Sequence, residues 1–144
     1  MIAAILKENT QGETRVAATP KTVKELIDNG LQLRVQSGSG DSSFHSDQEY
    51  QDIGAEITSD TSSTLKDADI VLKVSPITID EVDLLNEGCI YISLLQTTKE
   101  IDLIKKLSEK KVTGFSMDLI PRTTLAQSMD ALSSQANIAG YKSV

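Results

Sequence analysis

Between Pro121 and Tyr141 the sequence reads PRTTLAQSMDALSSQANIAGY, and within it Arg122, Gln127, Asp130, Ser133 and Ser134 bring hydrogen-bonding side chains into close succession. They lie between the apolar run GFSMDLI and the small-residue run Ala136 to Gly140, where core-building does not call for so many polar groups. Arg122 offers a fork of N–H donors, Gln127 both donors and acceptors, and Asp130 acceptors at a helix start. That set is suited to clasping an amide or a ribose, and a donor-rich loop after a strand is a candidate site. The simpler reading of the same residues is that Asp130 or Ser128 caps the final helix while Gln127 faces water.

A second pair of candidates sits on the same edge of the expected sheet. Arg15 falls in the loop after the first strand, in ENTQGETRVAATP, and Lys73 ends another strand. Open α/β sheets bind ligands at that edge, so the two cations either converge on an anionic ligand or stand as solvated strand-end charges. Other motifs lead nowhere comparable. Ser37-Gly38-Ser39-Gly40-Asp41 resembles a phosphate loop only superficially: no GxGxxG runs into a helix and no GK[ST] follows, which leaves a flexible strand-to-helix connection. His45 stands alone, without the second imidazole or thiolate that a zinc site needs, and no metal is expected. Cys89 lies in the apolar run GCIYISLL and reads as a small core residue. Lys105, Lys106, Lys110 and Lys111 fall late in a helix, where cations suit the dipole and a solvated face accounts for them.

The elements that must position these residues alternate along the chain. Strands are predicted at Ile2 to Leu6, Leu31 to Gln36, Glu56 to Thr58, Ile70 to Lys73, Cys89 to Leu94 and Val112 to Ser116. One helix opens with Thr19 as N-cap and Pro20 at its first position and stops at Asn29-Gly30. A second carries Ser46 and Glu49 as a capping box, with Tyr50 and Ile53 facing inward. A third is expected from near Thr78 to Gly88, and a fourth places Ile101, Ile104 and Leu107 on one face. Such alternation predicts an α/β fold, an open and mostly parallel sheet with helices on both faces, flavodoxin-like or Rossmann-like. No repeat, low-complexity linker or composition shift divides it.

The bulk numbers exclude several function classes. With Lys+Arg 14 against Asp+Glu 21, a net charge of -7, and few aromatics, the chain lacks the footprint of a nucleic-acid binder. No stretch approaches the ~18 apolar residues of a membrane helix. A single cysteine fits a reducing compartment such as cytosol. At 144 residues the chain fits one domain, or a piece of a larger one.

The two segments ENTQGETRVAATPKTVKELIDNG and PRTTLAQSMDALSSQANIAGY strongly resemble the NAD-binding domain I of the proton-translocating NAD(P) transhydrogenase α subunit, and the resemblance covers the whole chain. It is looser to alanine dehydrogenase, where an arginine and a lysine matching Arg15 and Lys73 hold a carboxylate and a catalytic histidine stands where this sequence has Gln96. The lack of that histidine counts against alanine dehydrogenase. Hydride exchange between two nicotinamides needs alignment of rings rather than an acid or base. The transhydrogenase resemblance implies that Arg122, Gln127 and Asp130 are the catalytic set. Arg122, Asp130 and Ser133 would orient the carboxamide of NAD(H), with Gln127 reaching toward NADP(H) on a partner domain. It further implies a homodimer, docked in the cytoplasm on a membrane subunit that moves the proton. Residues 1–144 are then expected to be the first subdomain alone, without the glycine-rich second subdomain, binding NAD very weakly and inactive in isolation. A non-catalytic regulatory module of the same fold is the other alternative.

Overall fold

The computed structural model describes residues 1–143. Among them six strands, β1 (Ile2–Ile5), β2 (Gln32–Gln36), β3 (Glu56–Thr58), β4 (Ile70–Leu72), β5 (Ile90–Ser93) and β6 (Thr113–Ser116), form one sheet in the order β3-β2-β1-β4-β5-β6. Every neighbouring pair is parallel. This is the Rossmann strand order rather than the flavodoxin one, and its direction of winding reverses between β1 and β4. The crevice at the carboxyl ends of those two strands is where such a sheet opens to a ligand.

The described residues also form six helices: α1 (Pro20–Asp28), α2 (Asp47–Asp52), α3 (Thr61–Leu65), α4 (Ile79–Val82), α5 (Ile101–Glu109) and α6 (Ala131–Lys142). The first two start where expected. Thr19 accepts a hydrogen bond from the Thr22 amide, with Pro20 in the first turn, and Ser46 and Glu49 form the capping box. Tyr50 of α2 is wholly buried and donates its hydroxyl to the Ala18 carbonyl at 2.9 Å. Burial pushes that phenol up to about 12. Gly30, which ends α1, has φ 90°, a left-handed conformation glycine adopts without strain.

Three elements differ from expectation. α3 is an additional helix in TSSTL, held by the Asp60 side chain, which accepts from the Ser63 amide at 2.9 Å. α4 is a single turn instead of a helix reaching Gly88. After Val82 the bonds tighten to Leu84 N–Glu81 O and Leu85 N–Val82 O, and Asn86 donates its side-chain amide to the Ala68 carbonyl. In α5 the inward residues are Leu103 and Leu107. Ile101, at the first turn, is 56% exposed, and Ile104 is only partly buried.

Strand alternation sorts the core into two layers. On one face Ala4, Val71 and Tyr91 meet Leu65, Val82, Leu103 and Leu107 of α3, α4 and α5. On the other, Ala3, Ile5, Leu33 and Val35 pack beneath Val23 of α1 and Tyr50 of α2. Cys89 lies in the first layer, 3% exposed, and burial pushes its thiol up, as suits a small core residue. Tyr91 carries the most consequential polar group of that layer. Its buried hydroxyl accepts from the Ile77 amide at 2.8 Å and donates to the Ser75 carbonyl at 3.2 Å, fixing the loop that leaves β4. Tyr91→Phe is expected to cost about 1–3 kcal/mol, because it strands a buried N–H; urea denaturation measures this, and an unchanged midpoint would contradict it.

Candidate functional site

The carboxyl edge of the sheet gathers residues from four loops. Glu8, just past β1, accepts from the amides of Val74 at 2.6 Å and Ser75 at 3.1 Å, tying the ends of β1 and β4 together. Beside it Lys73, whose side chain is 1% exposed, reaches the Glu81 carboxylate at 3.2 Å. Glu81 is the N3 residue of a capping box on α4. One oxygen accepts from the Thr78 amide at 2.9 Å, the other from the Asn9 side-chain amide at 3.0 Å. Burial works hardest against ionising Glu81, but the Thr78 amide, the Asn9 amide and the Lys73 ammonium together outweigh it and hold the carboxyl below its ordinary value.

Arg15 is held in the same manner. Its guanidinium forms a two-pronged pair with Glu13, Nε to Oε1 at 2.8 Å and Nη2 to Oε2 at 2.7 Å. That contact lowers the Glu13 carboxyl and raises the Arg15 guanidinium, in both cases against the opposing effect of burial. Arg15 and Lys73 do line one cleft of about 310 Å³, but the rest of its lining is largely apolar, with Leu72, Ile92, Leu94 and Met117 prominent. Each cation therefore already has its own carboxylate.

The residues of the terminal loop come together in a separate hollow of about 300 Å³, lined by Arg122, Thr123, Thr124, Gln127, Asp130 and Ser133. A 3₁₀ turn over Thr124–Met129, anchored by buried Ala126, bends the chain so that Gln127 and Asp130 share a wall. Asp130 then caps α6, accepting from both the amide and the hydroxyl of Ser133. The Ser133 hydroxyl first, then its amide, and then the Arg122 charge lower the Asp130 carboxyl against slight burial, so it stays an acceptor at neutral pH. The bland reading of Asp130 as a helix cap is thus true of its geometry, and the cap is what aims Ser133 into the hollow. Ser134, by contrast, turns back to the Ala131 carbonyl and takes no part.

The other motifs fall outside both hollows. The Ser37–Asp41 segment is pinned rather than flexible, because Asp47 accepts from the Gly38 amide at 2.9 Å and the Ser37 hydroxyl at 2.6 Å. Gly40 is required there, since a Cβ would lie 2.5 Å from the His45 carbonyl oxygen. His45 stands 3.9 Å from Glu49, and no cluster of three metal-ligating side chains occurs among the described residues. Gln96, at the position of interest after β5, is exposed and has φ 48°. The late lysines of α5 face solvent-side carboxylates, Lys106 with Asp83 at 2.7 Å and Lys105 with Asp102 at 3.2 Å. Among the described residues no helix is long and apolar enough to cross a membrane.

Sequence reasoning missed the partners Glu8, Asn9, Glu13 and Glu81 and the hollow's Thr123 and Thr124. The T-x-x-E spacing of Thr78 and Glu81 was the readable signal for one of them.

Comparison with known proteins places the chain among relatives that share these segments. The family described as alanine dehydrogenase/PNT, N-terminal domain, matches residues 4–139. The chain is 38% identical over its full length to the NAD(P) transhydrogenase subunit alpha of Haemophilus influenzae, covering 28% of that protein. It is 31% identical to alanine dehydrogenase of Methanococcus maripaludis, again over its full length and covering 38% of it. Among solved structures, transhydrogenase from Sinorhizobium meliloti superposes with a TM-score of 0.93 at 38% identity, over 98% of this chain and 42% of that one. The chain thus spans less than half the length of each of these relatives.

Glu81 sets the expected acid response. A carboxyl depressed on folding contributes stability that is present above its unfolded value of about 4.3 and is lost as pH falls through the folded value. Stability should therefore decline below pH ~4, and Glu81→Gln should flatten that decline while lowering stability at neutral pH; acid titration followed by circular dichroism reads both. An acid limb unchanged by the substitution would rule the pairing out as its source.

Proposed function

Because the chain belongs to the alanine dehydrogenase/PNT N-terminal domain family, we propose that it is the first subdomain of a transhydrogenase NAD(H)-binding domain, supplying the loop that orients a nicotinamide for direct hydride transfer to NADP+. The observation that carries this reading is the hollow in which Arg122, Gln127, Asp130 and Ser133 converge. A nicotinamide carboxamide presents one carbonyl acceptor and one amino donor. The hollow answers both, with Arg122 to donate and the ionised Asp130, oriented by Ser133, to accept, so its donor and acceptor set fits the group. NAD(H) brings the hydride when bound; the chain's residues hold the ring's amide edge and so fix which face is turned outward.

Alignment is the contribution such a loop makes. Holding two reactants at attack distance converts an encounter into an intramolecular step, worth several kcal/mol of barrier, roughly 7–11 in favourable cases. No proton changes hands, and the hollow contains no histidine. Gln127 lines the wall with its amide uncommitted to the cap and reaches toward NADP(H) on a partner domain of the transhydrogenase. In this reading the domain works as a homodimer at the cytoplasmic side of a membrane subunit, which couples hydride transfer to proton movement.

An alanine dehydrogenase reading is favoured by Arg15 and Lys73 sharing a cleft. Two features weigh against it: Glu13 and Glu81 already neutralise those cations, and Gln96 offers no proton to an imine. The assay that separates the readings is NADH-dependent reduction of an NADP+ analogue against alanine-dependent reduction of NAD+, in a protein carrying these residues together with its partner subunit. Arg122→Ala and Gln127→Ala should lower the first rate by about tenfold or more without unfolding the sheet. Alanine-dependent activity, or full transhydrogenation by both variants, would refute the proposal.

A further inference from the structure

Among the described residues the buried Nδ1 of His45 has no hydrogen-bond partner, a condition that costs free energy in a folded chain. Oε1 of Glu49 lies 3.9 Å away, too far for a hydrogen bond. The other oxygen, Oε2, is taken by the Ser46 amide at 2.7 Å and the Ser46 hydroxyl at 3.2 Å. The Ser46 amide foremost, and with it the Ser46 hydroxyl and His45 itself, hold the Glu49 carboxyl below its ordinary value against the desolvation that opposes them. Glu49 is therefore ionised where an imidazole takes up its proton. The segment that carries His45 also grips the loop bearing Arg15 at both ends. Ser43 donates its hydroxyl to the Thr14 carbonyl at 2.6 Å, and Tyr50 donates to the Ala18 carbonyl at 2.9 Å. Between these two holds lie Arg15, Val16 and Ala17, which form one wall of the cleft. The backbone joins grip and histidine, because the amides of Ser43 and His45 both donate to the Gly40 carbonyl, at 2.8 and 3.0 Å.

We propose that His45 is a proton-operated latch: on taking up a proton it closes onto Glu49 and fixes the turn over residues 40–46, which through Ser43 steadies the Arg15 wall of the cleft, whichever reaction the cleft serves. Protonation sets a charged N–H opposite an ionised acceptor, the combination that makes the shorter and stronger class of hydrogen bond. The turn transmits that change as a unit, since Gly40 packs so tightly beneath His45 and Tyr50 that a Cβ there would fall 2.5 to 3.0 Å from both. The other titratable groups of the neighbourhood are committed elsewhere. Tyr50, edge-on to the imidazole with ring centroids 6.5 Å apart, is a phenol pushed up to about 12 and stays neutral. Asp47 is engaged by Ser37 and Gly38. Lys7 and Asp41 crowd Gly38, where a Cβ would lie 2.9 Å from one and 3.0 Å from the other. Across the Ser43 contact, Glu13 and Arg15 are paired with each other. Imidazole is the side chain whose charge changes between pH 5 and 8, and this chain has one.

The test is amide hydrogen exchange, read residue by residue by NMR on the protein at pH ~8 and pH ~5.5, with each rate corrected for its intrinsic pH dependence. In wild type the amides of Ser43, His45 and Arg15 should exchange about two- to fivefold more slowly at the lower pH, the range a partly exposed ion pair supports. Glu49→Gln keeps the capping box but lacks the charge, and His45→Asn lacks the imidazole; in both, the difference between the two pH values should vanish. Ser43→Ala should keep the difference at His45 and lose it at Arg15. Equal protection at both pH values in wild type overturns the latch, and so does a difference that survives in Glu49→Gln or His45→Asn. A wild-type response at Ser43 and His45 that leaves Arg15 unmoved overturns it as well, since the turn then has no hold on the cleft.

Discussion

A lysine ammonium with almost no access to water governs the carboxyl edge of this sheet. Removing such a charge from water costs several kcal/mol and leaves the protein little freedom in how to compensate it. Lys73 follows directly on β4, and Glu81 meets it because α4, capped by Thr78, starts alongside. Glu81 in turn carries the cap of that helix and a bond from Asn9 beyond β1. Glu8 and Tyr91 hold the intervening residues Val74, Ser75 and Ile77 through their backbone groups. Strand ends, loop and helix start are therefore mutually determined, and the crevice at the switch point stands on a rigid rim.

The candidate site is built on the opposite principle. Its side chains are exposed, and their hydrogen-bonding capacity is spent sparingly within the chain. Asp130 uses Ser133 to define the start of α6, and Arg122 acts on Asp130 through space. A rigid edge carrying a lightly committed polar loop is the division of labour expected where groups must be positioned in advance yet remain available to a ligand.

Much of this architecture was legible from residue order. All six strands emerge within a residue of their ends, since β-branched and apolar runs flanked by glycine or capping residues leave few alternatives. The Ser46–Glu49 box and the Thr19-Pro20 start were equally plain. α3 escaped notice because TSSTL offers no strong helix former apart from its leucine; the Asp60 cap and the burial of Leu65 in the core hold it as a helix. α4 stopped short because Asn86 finds Ala68 eighteen residues upstream, a long-range contact that no local pattern encodes. The site divides similarly. Arg122, Gln127, Asp130 and Ser133 stood out by type and spacing, and they do line one hollow. That Arg15 and Lys73 are each neutralised by a carboxylate was not legible, because pairing depends on side-chain direction and burial that only the packed edge decides.

The first turn of α6 has a property that becomes clear only when both hollows are considered together. Ala131 and Gln135 line the apolar cleft over the switch point, while Asp130 and Ser133 line the polar hollow on the other side. No residue of α6 is buried, so the core does not clamp it. The helix is thus a party wall shared by two chambers, with one face of its first turns lining each.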